Sequence, residues 1–143
     1  MRVDWQGVFP ALMTEFHPDG GLDLDRTQEH ARACLDAGCS GLIMLGTLGE
    51  NSSLAPDEKE AVLRAAVEVA DGKVPVISGV AEYTTELGIA HAQRAERAGC
   101  VGLMALPCMV YEQDEREGEV TGRGLHGPPL YQAQATTTCR GPR

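Results

Sequence analysis

The chain has 143 residues, with 12 basic and 21 acidic side chains, a formal net charge of −9 and a sequence pI near 4.8. Its acidic balance argues against nucleic acid or an anionic membrane as a partner, because both bind basic surfaces; small molecules or other protein chains fit better. No apolar run is long enough to span a membrane and the first residues have no apolar signal core, so we expect a cytoplasmic protein.

Four short apolar runs predict buried strands. Each run is continuous, which is typical of strands that are covered on both faces in a parallel sheet. The runs are residues 7–12, 41–45, 74–80 and 102–106.

Segments with helical spacing lie between these runs. Their ends carry helix signals, such as Pro56 at a first helical position and Gly38 and Gly99 just beyond a last turn. The alternation of strand and helix predicts a parallel α/β fold with right-handed crossovers. The predicted helices are residues 25–37, 56–70 and a third that begins at 84 or 85 and ends at 98.

An internal repeat supports this architecture. Residues 37–45 and 98–106 share a small-residue helix end, a glycine and a buried strand. Such units of about 30 residues build (β/α)₈ barrels, although a doubly wound sheet has similar local patterns, so spacing leaves both folds open. A whole barrel needs roughly 250 residues, so this chain can form a partial (β/α)₈ TIM barrel, its first four βα units.

Residues 118–143 differ from the rest of the chain. They contain three Arg, one Glu, five Gly and three Pro, and they show neither strand nor helix periodicity. We therefore predict a domain at residues 1–117, followed at 118–143 by an irregular C-terminal tail that is disordered or translated out of frame.

The candidate site is the loop Gly46-Thr47-Leu48-Gly49-Glu50, which directly follows the second predicted strand. In parallel α/β proteins, loops at the carboxyl ends of strands face the active site. A hydroxyl and open backbone amides there suit a carboxylate ligand or a proton relay. The alternative is a tight turn in which the Thr47 side chain bonds the backbone.

Several motifs, together with this loop, resemble the dihydrodipicolinate synthase / N-acetylneuraminate lyase family. The resemblance covers roughly residues 6–117, in order and at family-like spacing. The segments that carry it are residues 7–16, 46–50, 54–59, 75–80 and 106–107.

This resemblance implies a class I aldolase mechanism, in which a barrel lysine forms a Schiff base with pyruvate or another 2-keto acid and no cofactor or metal is needed. Thr47 matches a threonine of the family's proton relay, and Tyr111 matches a relay tyrosine. Leu48 stands where the family has a second threonine that helps hold the keto-acid carboxylate. With Gly49 and Glu50, it completes the substrate-binding residues that the resemblance predicts.

The resemblance also places the Schiff-base lysine on the sixth strand and the main catalytic tyrosine on the fifth, beyond the four predicted units. The two lysines of the sequence, Lys59 and Lys73, are predicted to be solvated, Lys59 on the exposed face of the second helix. The histidines share no metal-like spacing and are predicted at surface or helix-face positions. Tyr83 either lines the substrate site or packs in its loop. The histidines are His17, His30, His91 and His126.

Three interpretations remain. The first is a truncated member of the lyase family that is inactive alone. The second is a non-catalytic half-barrel that forms a homo-oligomer or pairs with another chain, because an open sheet leaves edges and an apolar face uncovered. The third, a flavodoxin-like binding domain, fits least well, since it requires a fifth strand and a phosphate loop after the first strand.

Overall fold

The structure is a computed structural model that describes Val3, residues 5–106 and the backbone of residues 131–134. Its helices agree with the predicted ones to within about a residue at each end. In chain order the elements are α1 (Leu24–Asp36), β1 (Leu42–Met44), a short 3₁₀ turn (Asn51–Ser53), α2 (Pro56–Ala70), β2 (Val76–Val80), α3 (Thr85–Ala98), β3 (Gly102–Ala105) and β4 (Tyr131–Gln134).

Local hydrogen bonds begin and end the helices. The Asp23 side chain accepts from the N–H of Arg26 at 2.9 Å, and the Thr84 hydroxyl accepts from the N–H of Leu87 at 3.2 Å. Each bond satisfies a donor that the first helical turn cannot. Gly99 ends α3 with φ of 103°, a conformation that favours glycine. Among the described residues, no helix is both long and apolar enough to cross a membrane.

The four strands are parallel and follow each other in the sheet in chain order, β1-β2-β3-β4. By register, Leu42, Val76 and Leu103 lie on the same face of the sheet, and these residues pack with all three helices in one core. The opposite face carries half-buried Ile43 and Met104. A sheet with its helices on one face is the wall of a βα barrel, and this decides against the doubly wound alternative, which has helices on both faces.

The first predicted strand, residues 7–12, is an extended segment that pairs with β1 at a single bridge between Ala11 and Ile43. Ile43 N–H donates to the Pro10 carbonyl and Leu12 N–H donates to the Ile43 carbonyl, both at 2.9 Å. Pro10 has no N–H and so removes one donor from the ladder, although the Val8 carbonyl still accepts from Ser40 N–H at 2.8 Å. The segment occupies the predicted place in the sheet but is not a regular strand.

β4 lies in the tail that we predicted to be irregular, and it pairs with β3 from Gly102↔Tyr131 to Ala105↔Gln134. Residues 131–134 have no apolar run, so this strand depends on pairing with β3 and not on local sequence. The remaining tail and the predicted boundary at residue 117 lie outside the described residues. The division into domains therefore stays a prediction.

Candidate functional site at the end of β1

The loop Gly46–Glu50 follows β1 at the carboxyl edge of the sheet, where the sequence placed it. Thr47, Leu48 and Glu50 are exposed, Leu48 to 67%, whereas Gly46 and Gly49 are buried. The loop therefore presents a hydroxyl, an apolar side chain and a carboxylate above a fixed backbone.

Backbone hydrogen bonds inside the loop engage the amides of Gly49 and Glu50. Gly49 N–H donates to the Gly46 carbonyl at 3.0 Å and Glu50 N–H donates to the Thr47 carbonyl at 3.1 Å. The N–H groups of Thr47 and Leu48 donate to no other described residue, and the Thr47 hydroxyl also has no partner there. The alternative in which the Thr47 side chain bonds the backbone is thus absent from the described structure. Two adjacent N–H groups and a hydroxyl are therefore available to donate hydrogen bonds to an anion.

The backbone is strained just before the loop and at its last residue. Leu45 and Glu50 have φ values of 57° and 54°, in the left-handed region that non-glycine residues seldom adopt. Each such residue costs about 1 kcal/mol or more, and it persists only where the surroundings fix it. One restraint is the buried Thr14 hydroxyl, which donates to the Gly49 carbonyl at 2.8 Å. Thr14 was not among the residues predicted for the site.

The other predicted site residues are dispersed. Tyr83 follows β2 and is 55% exposed, so its ring is not packed in the core. Tyr111 lies outside the described residues. Within the described chain, no group of three His, Cys, Asp or Glu residues is arranged to hold a metal ion.

Lys59 is not solvated, and that prediction is wrong. Its side chain is 7% exposed, and Nζ donates to Oε1 of Glu82, itself 15% exposed, in the loop after β2. Lys59 lies on the same face of α2 as the buried residues Val62 and Leu63. Its side chain is therefore buried with theirs. Lys73 is solvated as predicted, with its side chain 78% exposed beside Asp71.

His91 lies on a helix face, but on the buried face of α3, and is only 5% exposed. Its Nε2 is 2.9 Å from the Ser78 hydroxyl and 3.0 Å from the Gly79 carbonyl. Burial lowers the pKa of His91, and the Lys59 cation adds to this effect. His17 is exposed and His30 is half-buried, whereas His126 lies outside the described residues.

Comparison with known proteins identifies the class suggested by the one-sided parallel sheet and its exposed loop. The model of the dihydrodipicolinate synthetase family matches residues 4–119. The chain therefore belongs to this family of lyases, and the resemblance seen in the sequence is confirmed.

Three relatives illustrate the match. An uncharacterised DapA-like lyase of Halobacterium salinarum is 41% identical over 108 residues, 76% of this chain and 36% of the relative. A probable 5-dehydro-4-deoxyglucarate dehydratase of Streptomyces coelicolor is 44% identical over 95 residues, 66% of this chain and 30% of the relative. The crystal structure of YagE, a family member from E. coli K12 in complex with pyruvate, superposes with a TM-score of 0.77 at 30% identity, over 84% of this chain and 42% of YagE. The chain spans about a third of the length of the curated relatives.

Because the Lys59–Glu82 pair is buried, we expect removal of one of its charges to lower the free energy of unfolding substantially. Glu82→Gln leaves the buried Lys59 cation without its counter-charge, which should lower the free energy of unfolding by about 3 kcal/mol in urea titrations. Lys73→Gln breaks an exposed pair and should leave the unfolding midpoint unchanged. Replacing both partners, as Lys59→Met with Glu82→Leu, should restore most of the loss. Equal midpoints for Glu82→Gln and Lys73→Gln would contradict this prediction.

His91 predicts a dependence of stability on pH. Its folded-state pKa is below the usual 6.5, so the unfolded chain takes up the proton first. Stability is therefore complete above about pH 6.5 and falls as the pH drops below it, by up to roughly 1.4 kcal/mol per pH unit, until the folded-state pKa is reached. Urea midpoints between pH 7.5 and 5.5 measure this fall.

The matched variants separate His91 from other titrating groups. His91→Gln should flatten the slope, because Gln is neutral throughout and can still donate to Gly79. His17→Gln changes a side chain that is 54% exposed, and it should retain the slope. A slope that His91→Gln leaves unchanged would rule out His91 as its source. Lys59, Glu82 and Arg94 face His91 and are kept in every sample.

Proposed function

We propose that the chain is the first part of a lyase that acts on pyruvate or another 2-keto acid through a lysine Schiff base, with its keto-acid carboxylate at the Gly46–Glu50 loop. The observation that carries this proposal is the pair of unengaged N–H groups at Thr47 and Leu48, two exposed residues at the carboxyl edge of the sheet. The pyruvate complex of YagE and the dehydratase relative support a small keto acid or sugar acid as substrate.

In this proposal, the loop residues have separate roles. The N–H groups of Thr47 and Leu48 donate to the carboxylate, which is held at a fixed position because Gly49 and Glu50 close the turn beneath it. The Thr47 hydroxyl passes a proton, with Tyr111 as the next member of the relay. Leu48 supplies its N–H but no hydroxyl, so the carboxylate receives one donor fewer than a threonine there would give.

The 143-residue chain alone is proposed to be inactive. Lys59 is buried behind the sheet in an ion pair with Glu82, and Lys73 precedes β2 at the opposite edge from the loop. Neither amine reaches a keto acid bound at Thr47. The sequence has no other lysine, so in this proposal the Schiff-base lysine comes from outside these 143 residues. The cytoplasmic location also stays a prediction.

Leu48→Thr tests the site directly. The added hydroxyl can donate to the carboxylate, so pyruvate should bind roughly tenfold more tightly, as expected for one hydrogen bond to a charged group. Titration followed through the Thr47 amide signal in NMR spectra measures the affinity. Leu48→Val is the matched control, because it has a similar branched shape without a hydroxyl.

Equal pyruvate affinity for Leu48→Thr and Leu48→Val would contradict a carboxylate site at this loop. The same samples treated with borohydride should show no lysine adduct by mass spectrometry, while a full-length family lyase treated in parallel should be labelled. A stoichiometric adduct on this chain would overturn its proposed inactivity.

A second candidate function, a non-catalytic half-barrel that self-associates, has its own support. The sheet face without helices carries exposed Ala11 and half-buried Ile43 and Met104, an apolar surface of the kind that protein interfaces cover. In a full barrel, that face would be the interior. Pairing two copies through it would bring two Thr47 loops to one mouth.

Light scattering tests this pairing. A dimer should have twice the 15.2 kDa mass of the chain, and Ile43→Lys should return it to the monomer by placing a charge on the apolar face. Ala33→Lys adds the same charge on an exposed position of α1 and should leave the dimer intact. A folded monomer at high concentration would exclude this function.

A further inference from the structure

A buried side chain that was not predicted from the sequence lies beneath the candidate loop. Asn51 begins the 3₁₀ turn after Glu50 and is only 2% exposed. Its Nδ2 donates to the Leu45 carbonyl at 3.0 Å and to the Gly79 carbonyl at 3.1 Å. One side-chain amide thus joins the end of β1 to β2, directly below the loop that carries Thr47.

The two carbonyls are close together because Gly79 has no side chain. A β-carbon on Gly79 would lie 2.0 Å from the Leu45 oxygen, well inside any real contact. The loop also folds back on Leu45, since a β-carbon on Gly49 would lie 2.9 Å from the Leu45 backbone. Asn51 therefore acts where three backbone segments touch.

The chemistry of Asn51 fits this role closely. A carboxamide nitrogen carries two N–H donors, one for each of these two carbonyl oxygens. The Gly79 carbonyl also lies 3.0 Å from both Ser78 Oγ and His91 Nε2, so Asn51 is one of several polar groups at that oxygen. Asn51 Oδ1 is buried and has no hydrogen-bond partner among the described residues, so the amide nitrogen makes both of the side chain's described hydrogen bonds. An aspartate of the same shape would instead face the carbonyls with negative oxygens.

We propose that Asn51 is the positioning residue of the Thr47 loop. By holding the carbonyl of Leu45 against β2, it maintains the left-handed backbone at Leu45 and Glu50 and so aims the N–H groups of Thr47 and Leu48 away from the sheet. We call the two hydrogen bonds from Asn51 to the Leu45 and Gly79 carbonyls the clamp. The identity of the ligand rests on the proposed function, but the clamp itself does not.

Substitution of Asn51 tests the clamp through the loop backbone. Asn51→Ala should speed amide hydrogen exchange at Gly49 and Glu50 by roughly tenfold or more, because two hydrogen bonds are lost. It should also shift the Cα resonances of Leu45 and Glu50 away from the values of a left-handed backbone. Asn51→Ser is smaller but retains one donor, so it should give a lesser effect and keeps the test valid if the alanine variant does not fold.

Two controls distinguish positioning from general stability. Ser52→Ala changes an exposed neighbour in the same turn, and Val62→Ala destabilises the core at a fully buried position on α2. Val62→Ala should raise exchange evenly in β2, β3 and the loop. Loop exchange in Asn51→Ser equal to that in Ser52→Ala, or a loss spread evenly as in Val62→Ala, would overturn the proposal.

A pyruvate titration separates failure of this proposal from failure of the proposed function. One outcome supports both the ligand assignment and the clamp. In it, pyruvate shifts the Thr47 amide signal of the unsubstituted chain, and Asn51→Ala weakens both that shift and the protection of the loop amides from exchange. If the unsubstituted chain shows no response while loop protection still depends on Asn51, the ligand assignment fails and the clamp holds. A pyruvate response unaffected by Asn51→Ala would contradict the aiming of the two N–H groups.

Discussion

At the end of β1 the carbonyl of Leu45 approaches β2 so closely that a β-carbon at Gly79 would lie 2.0 Å from the oxygen. This contact determines the path of the loop that follows β1. With the strand ends this close, the chain leaves β1 through a left-handed residue and turns back over Leu45, and the loop stands at the carboxyl edge of the sheet. Exposure of Thr47 and Leu48 follows from this path of the backbone and not from their own preferences.

Behind the sheet, a set of polar groups lies in an otherwise apolar core. Ser78 and His91 join β2 to α3, and Lys59 and Glu82 join α2 to the loop after β2. Buried charges of this kind add little net stability compared with well-packed apolar residues, because their desolvation offsets their attraction. They do restrict geometry, since each group accepts only a partner at hydrogen-bond distance. We therefore attribute to them the orientation of α2 and α3 on the sheet, and not the strength of the fold.

The elements whose causes are local were predictable. Helix α2 begins at Pro56 and ends at Ala70 as its sequence indicated, because the signals lie within the helix itself. The burial of Lys59 was not predicted, because its charge, typical of a solvated side chain, was given more weight than its position along the helix. It stands three and four residues before Val62 and Leu63, in register with the apolar stripe, and that spacing was a usable signal for burial. His91 precedes Ala92 and Ala95 on the buried face of α3 in the same way.

Features that depend on distant partners had no local signal. Nothing near residues 131–134 indicates a strand, because pairing with β3 forms it. Asn51 gave no indication of its role, since Gly79, one of its acceptors, is 28 residues away in the chain. The resemblance to the family supplied the loop's chemistry, whereas the structure showed which amides in that loop are free.

The order of the strands also bears on how the chain acquires this structure during synthesis. Paired residues are separated by 34, 25 and 29 positions along the three strand pairs, and every new strand adds beside the previous one. The entropy cost of closing such loops is similar at each step, and no strand must wait for a distant partner. The sheet can therefore grow from its N-terminal side as the chain leaves the ribosome, with Gly79 completing the Leu45 contact as soon as β2 arrives.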